Sequence, residues 1–170
     1  SNIDQRNLNR IRQSVDLRTN IYGPIQTRLE RYKDKNLVIQ LDSPEQATLY
    51  APRREFSHAV LHIVENALKF SPTEGVVSVR IQPGRSGGAV IEVQDSGPGI
   101  PAELREKVFE RFYQVSQGDT RQYEGLGVGL TIAREVFQSV GGSVQILDCP
   151  RGCLVRASLP DPREDDHVYG

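Results

Sequence analysis

Apolar residues recur at steps of three and four between Phe56 and Pro72. Phe56, Ala59, Val60, Ile63, Val64 and Ala67 share one face, and the spacing predicts a buried helix. Opposite them, Glu55, His58, His62, Asn66 and Lys69 form a polar stripe at the same spacing. Most such stripes are solvated faces; whether this one faces something else depends on the rest of the chain. Upstream, Leu17, Ile21, Ile25, Leu29 and Tyr32 predict a helix from Asp16 to Lys33, interrupted at Gly23-Pro24, where proline breaks the hydrogen-bond ladder. Residues 3–14, with Ile3, Leu8 and Ile11 at helical spacing, read as the end of a helix whose partner lies elsewhere, because a short polar helix is marginal alone.

Elsewhere the sequence reads as strands and turns. LVIQL (37–41) and ATLYA (47–51) read as strands about the turn DSPEQ. GVVSVRIQP and GAVIEVQD read as an antiparallel pair joined by the loop GRSGG. SGPGIP follows Asp95 and leads to a short helix, AELREKVF. QVSQGDTRQYE (114–124) is polar and without period, a mobile loop. GLGVGLTIAREVFQSVGG is a glycine loop feeding a helix, with Gly141-Gly142 as its stop. SVQIL and CLVRASL form a last strand pair, and PDPREDDHVYG a poorly ordered tail. The expected fold is α/β: a two-layer sandwich of one mixed, mostly antiparallel sheet with helices packed on one face.

Composition narrows the function classes. At 170 residues, 37% hydrophobic and 25% charged, the chain has the make-up of one soluble domain. A net charge of -1 gives no basic field for nucleic acid. No apolar run is long enough to cross a bilayer, and the polar start SNIDQRNLNR carries no signal peptide. The two cysteines, Cys149 and Cys153 in CPRGC, read as small residues flanking a hairpin turn; no histidine near them in sequence suggests zinc. A reducing compartment fits them best.

Two glycine clusters and the stripe carry the candidate chemistry. Asp95-Ser96-Gly97-Pro98-Gly99-Ile100 ends a strand; its glycines admit a flat ligand, and the Asp95 carboxylate can accept a hydrogen bond from an exocyclic amine such as that of adenine. The plain alternative is a turn with an Asx contact. Gly125-Leu126-Gly127-Val128-Gly129-Leu130 opens a helix, where backbone N–H groups bind anions and glycine lets phosphate approach. No Gly-Lys-Ser or Gly-Lys-Thr follows, which excludes a Walker loop, and the spacing is wrong for a dinucleotide fingerprint. On the stripe, Asn66 offers a hard amide oxygen to magnesium. His62, one turn back, can orient or deprotonate an attacking group. Lys69, one turn on, can meet phosphate oxygens.

In order and spacing these motifs resemble the catalytic, ATP-binding domain of bacterial sensor histidine kinases, of the GHKL ATPase superfamily. Asn66-Ala67, with Lys69 and Phe70, matches that family's N box. Asp95, Gly97, Gly99 and Ile100 match its first glycine box, and Gly125, Gly127 and Gly129 its second. Phe109-Glu110-Arg111-Phe112-Tyr113 looks like its phenylalanine box. The resemblance covers about residues 15–160 and implies the GHKL, or Bergerat-type, ATP-binding fold. It leaves 1–14 as the remnant of a dimerisation helix or linker and 161–170 as a flexible tail.

The resemblance implies ATP and Mg²⁺ as ligands, with the stripe facing them and Asn66 holding the metal. It places Asp95, Gly97, Gly99, Ile100, Phe112, Gly125, Leu126, Gly127, Val128, Gly129 and Leu130 about the nucleotide, with 114–124 as the ATP lid. It implies transfer of the γ-phosphate to a histidine by positioning and charge neutralisation, with His62 and Lys69 as catalytic residues. The implied partners are a dimerisation and phosphoacceptor domain of the same kinase and a downstream response regulator. A cytoplasmic location is implied for the domain, with membrane anchoring of the whole protein left open. His62 stands where the commonest subfamily has asparagine, although chemotaxis kinases carry histidine there. Leu126 replaces a commonly small or hydroxyl residue. His58, His62 and His167 are followed by Ala59, Ile63 and Val168, never by the acidic residue that follows the family's acceptor histidine. The chain therefore reads as a monomeric fragment of a larger, homodimeric kinase. One alternative is a GHKL module that binds nucleotide and switches a partner without phosphotransfer. Another is a serine-directed anti-sigma kinase, against which the phenylalanine box and the dimerisation-helix remnant speak.

Overall fold

Strand alternation fixes the inward face of the main sheet. In β4 (Val76–Pro83) the buried residues are Val77, Val79 and Ile81; in β5 (Ala89–Gln94) they are Ala89, Ile91 and Val93. These strands form the expected antiparallel hairpin. β6 (Ser143–Leu147) and β7 (Leu154–Leu159) pair antiparallel, and β7 also pairs with β5. β2 (Val38–Asp42) adds to β4 in parallel, giving the order β2-β4-β5-β7-β6. The computed structural model describes residues 11–44, 47–110, 126–164 and 166–169.

Among the described residues, three α-helices lie on the inward side of the sheet: α1 (Gly23–Glu30), α2 (Arg53–Phe70) and α3 (Leu126–Ser139). α2 packs on β4 and β5, α3 on β6 and β7, and α1 on α2. The predicted apolar face of α2 is buried as expected, with Phe56, Ala59, Val60, Ile63, Val64 and Ala67 in the core. Phe56 meets Phe137 of α3 with ring centroids 5.5 Å apart. Glu55 in its first turn and Lys69 in its last complement the helix dipole, and Ser71-Pro72 ends it. The two-layer, mostly antiparallel expectation holds for this sheet.

Five expectations need correction. The helix predicted from Asp16 to Lys33 is broken into a π-helical turn at Leu17–Tyr22, α1, and a 3-10 turn at Lys33–Lys35. Pro24 has no N–H to bond four residues back, and the Gly23 N–H reaches Arg18 O, five residues back. AELREKVF is two 3-10 turns, Ala102–Leu104 and Lys107–Phe109. Residues 11–14 are not helical: Ile11–Asp16 is a strand, β1, with Arg12 and Val15 turned in and Ile11 exposed. Residues 3–10 of that expected helix lie outside the described residues. β1 pairs antiparallel with β3 (Thr48–Ala51), so the strands flanking DSPEQ belong to two different sheets. The tail is not wholly free either, because His167–Tyr169 forms β8, parallel to β1, and completes a second sheet of order β3-β1-β8.

Arg12 explains why the tail is held. Its side chain is 1% exposed, and its guanidinium donates to Pro160 O at 2.8 Å, Tyr50 O at 3.1 Å and Val140 O at 3.4 Å. Its Nε lies 3.4 Å from Asp166 Oδ2, an ion pair rather than a hydrogen bond. Asp161, just after β7, accepts from Gly88 N at 2.8 Å and Ser86 N at 3.3 Å, which fastens the tail to the β4–β5 loop.

Candidate functional site

A cleft of about 420 Å³, counting its open mouth, lies between α2, the turn after β5 and the start of α3. Its walls are mainly apolar: Ile63, Ala67, Val93, Ile100, Leu130 and Val155. Two polar side chains, Asn66 and Asp95, share the same lining.

Asp95 follows the last residue of β5 and is 8% exposed. Its Oδ1 accepts from Gly97 N at 2.8 Å and Cys153 N at 3.0 Å. Oδ2 has no hydrogen-bond partner among the described residues. Burial pushes the carboxyl above its ordinary pKa, and the Gly97 and Cys153 N–H bonds pull it back. A carboxylate whose second oxygen is left open to an apolar cleft is matched to a hydrogen-bond donor on a flat, largely apolar ligand.

The glycines about Asp95 are required by close backbone packing. A Cβ at Gly97 would lie 2.6 Å from Phe70 O, so the first glycine loop rests on the carbonyl end of α2. Gly152, in the β6–β7 turn, has φ +72° and passes so close that a Cβ would stand 1.9 Å from Asp95 O. Arg105 fastens the far side of this loop, donating to Ile100 O at 3.0 Å and pairing with Asp148.

Asn66 is half-buried, and its Nδ2 is buried without a hydrogen-bond partner among the described residues. Such an orphaned amide end is uncommon and fits a group that reaches a ligand. α3 meets the stripe at Gly129, where a Cβ would stand 3.4 Å from Asn66 Nδ2 and 3.7 Å from His62 Nδ1. The fold therefore brings Gly129 of the second glycine cluster onto His62 and Asn66. His62 is half-buried; burial, then Arg28 and His58, lower its pKa below the ordinary imidazole value, while Glu65 opposes them. The imidazole is accordingly neutral at neutral pH.

The other predicted residues fall at different distances from the cleft. Gly99 and Ile100 line it, as does Leu130; Gly97 supplies its N–H to Asp95. Leu126, Gly127 and Val128 form the first turn of α3. Lys69 is exposed, with its ammonium 5.5 Å from the centre of the Phe70 ring, and is not among the lining residues. Phe112, Gly125 and the loop 114–124 lie outside the described residues. Phe109 of the phenylalanine segment is buried beneath Arg134 of α3, 3.8 Å from ring centre to guanidinium, and its carbonyl accepts from Thr131 Oγ1 at 2.6 Å.

Sequence reasoning missed Cys153, Gly152, Val93 and Val155. Cys149 and Cys153 are free and flank the β6–β7 turn as expected, but Cys153 also lines the cleft and its N–H holds Asp95. Burial, Asp95 and Cys149 push its thiol up to about 12. The glycine in CPRGC was the available signal: a position forced to positive φ marks close approach by another chain segment.

Among the described residues, no group of three or more His, Cys, Asp or Glu side chains could hold a metal ion by itself. No described helix is long and apolar enough to cross a membrane.

Comparison with known proteins adds family evidence. The family of histidine kinase-, DNA gyrase B-, and HSP90-like ATPases matches residues 52–163. The sensor histidine kinase TmoS of Ectopseudomonas mendocina is 31% identical over 129 residues, 75% of this chain and 13% of that protein. The chain spans about a third or less of the length of such curated relatives. Among solved structures, the mycobacterial sensor histidine kinase MprB superposes with a TM-score of 0.68 at 28% identity, covering 90% of this chain and 100% of that one. The histidine kinase ThkA, solved in complex with response regulator protein TrrA, superposes with a TM-score of 0.72 at 21% identity, covering 88% of this chain and 42% of that one, a likeness of fold.

Proposed function

Because the chain belongs to the family of histidine kinase-, DNA gyrase B- and HSP90-like ATPases, we propose that its cleft binds ATP with magnesium and presents the γ-phosphate to a histidine on a dimerisation domain of the whole protein. The observation that carries this reading is the Asp95 carboxylate: 8% exposed, held at Oδ1 by two backbone N–H groups, and without a hydrogen-bond partner at Oδ2 among the described residues, in an apolar cleft. Oδ2 accepts the adenine amine, and Val93, Ile100 and Val155 contact the ring faces.

Asn66 suits magnesium as a single neutral oxygen ligand through Oδ1, and its orphaned Nδ2 is a donor suited to a phosphate oxygen. When bound, the ion neutralises charge on the phosphates. The first turn of α3 receives phosphate oxygens on its backbone N–H groups. His62 holds the attacking group in line, and Lys69 contributes a positive charge from the rim. None of the histidines precedes an acidic residue, so the acceptor is assigned to another domain and the chain alone is expected to be a monomer. A response regulator downstream is the partner class that ThkA, with TrrA, supports. The domain would work in the cytoplasm.

Replacing Asp95 by asparagine tests the adenine assignment. The amide oxygen can still accept from Gly97 and Cys153, but an NH₂ group then faces the adenine amine. Loss of a charged hydrogen bond worth about 1.5–3 kcal/mol predicts affinity for Mg·ADP weakened roughly tenfold or more. The same change is expected to raise the melting temperature of the nucleotide-free chain at neutral pH. The folded state raises the carboxyl's pKa, so the fold binds its proton more tightly than the unfolded chain. Stability falls as pH rises from the unfolded to the folded pKa, and above both the ionised Asp95 is a net cost. Calorimetry showing unchanged affinity would remove Asp95 from the adenine site.

A further inference from the structure

Lys35 lies outside the cleft, at the end of the 3-10 turn before β2, yet it grips the helix that forms one wall of the cleft. Its ammonium donates to Lys69 O at 2.7 Å, Ser71 O at 2.9 Å and Leu68 O at 3.2 Å. An ammonium has three N–H donors, so this set employs all of them on the carbonyl end of α2. The last carbonyls of a helix have no partners within it, and a cation there also meets the negative end of the dipole.

The same backbone segment seats the first glycine loop on its other side. Ser71 is 2% exposed, and its Oγ accepts from Ser96 N at 3.4 Å. Phe70 O stands where Gly97 admits no side chain, and Gly97 N is one of the two donors that orient Asp95. Lys35 itself is anchored, because its carbonyl accepts from Glu74 N at 2.6 Å and the next residue, Asn36, turns left-handed at φ 52°. A continuous path of contacts thus runs from Lys35 through 68–71 to Ser96-Gly97 and Asp95.

We propose that Lys35 is a positioning residue for nucleotide binding, fixing the carbonyl end of α2 so that the first glycine loop holds Asp95 in its binding orientation. The proposal rests on the nucleotide reading of the cleft. It differs from simple helix capping in what it predicts. A cap that only stabilises the fold changes the melting temperature and leaves affinity alone; a positioning residue changes affinity in a chain that is fully folded.

The test measures Mg·ADP binding by calorimetry, well below the melting temperature, for wild type, Lys35→Met, Lys35→Arg and Arg12→Met. Arg12→Met is the control for lost stability far from the cleft. Expected are a roughly tenfold weaker affinity for Lys35→Met, recovery of most of it in Lys35→Arg, and wild-type affinity in Arg12→Met. Amide exchange of the nucleotide-free chain supplies a readout independent of binding: Ser96 and Gly97 should exchange faster in Lys35→Met. Should Lys35→Met not fold, Lys35→Gln, which keeps two donors, takes its place with the same expected direction. Wild-type affinity and unchanged exchange at Ser96 and Gly97 in a folded Lys35 variant would overturn the proposal while leaving the nucleotide reading intact. No Mg·ADP binding by wild type would overturn both, and the exchange result would still report whether Lys35 holds the loop.

Discussion

Replacing His62 by alanine is expected to slow phosphoryl transfer by about 10²–10⁴-fold, the range of a positioned acid or base, while nucleotide affinity stays nearly unchanged. His62 sits one turn before Asn66 on α2, and α3 passes it at Gly129. It is a poor magnesium ligand, since that ion prefers oxygen, so its loss should not remove the metal. Burial, Arg28 and His58 lower its pKa against the pull of Glu65, which keeps the imidazole neutral and able to accept a proton near neutral pH. The acidic limb of the rate profile should therefore fall below the ordinary histidine value of 6.5 and disappear in the variant. His62→Gln should restore part of the rate by positioning alone. Asn66→Ala should behave differently, losing magnesium-dependent binding and transfer together. Single-turnover assays with a reconstituted acceptor domain separate the two, and an unchanged rate in His62→Ala would make the residue part of a solvated face.

Arg12→Met is expected to destabilise the fold by about 3–5 kcal/mol, the cost of leaving a buried charge without its partner. Asp166, whose side chain is 3% exposed, would keep the Arg163 N–H on its Oδ2 at 2.7 Å but lose its paired cation, and the carbonyls of Tyr50, Val140 and Pro160 would lose their shared donor. Against a typical total of about 5–15 kcal/mol, this is a large share. Removing both partners in Arg12→Met/Asp166→Leu should recover part of the loss, because an apolar pair avoids the stranded charge. Urea unfolding monitored by circular dichroism measures both. A loss below about 1 kcal/mol, the range of surface pairs, would mean that the tail is held by strand pairing alone.

The helix of the polar stripe and the β4–β5 hairpin were legible because their periods are unambiguous: six apolar residues at helical spacing from Phe56 to Ala67, and strict alternation from Val77 to Val93. The N-terminal segment was not legible. Ile11 and Val15 stand four residues apart, which suits a helix, and nothing local shows that Arg12 is the inward residue. Arg12 is inward because its partners lie up to 154 positions away at Asp166, beyond the reach of any local pattern. The tail was misread for the same reason, since it is polar in sequence and is anchored by distant partners: Arg12, the β4–β5 loop and the pairing of β8 with β1.

The site divides similarly. Asp95, Asn66 and the glycine clusters could be found because their chemistry is written in residue type and spacing. Cys153 and Gly152 could not, because their role is to be near Asp95, and 58 residues separate the Cys153 N–H from the Asp95 carboxylate.

Transfer of label from [γ-³²P]ATP to a matched dimerisation domain supplied in trans tests the central claim most directly. With wild-type chain and magnesium, phosphate that is labile in acid and stable in base should appear on the acceptor histidine, and it should be lost with Asn66→Ala. A chain that binds Mg·ATP normally yet leaves every histidine of a competent acceptor unlabelled would contradict the claim and identify the domain as a nucleotide-dependent switch instead.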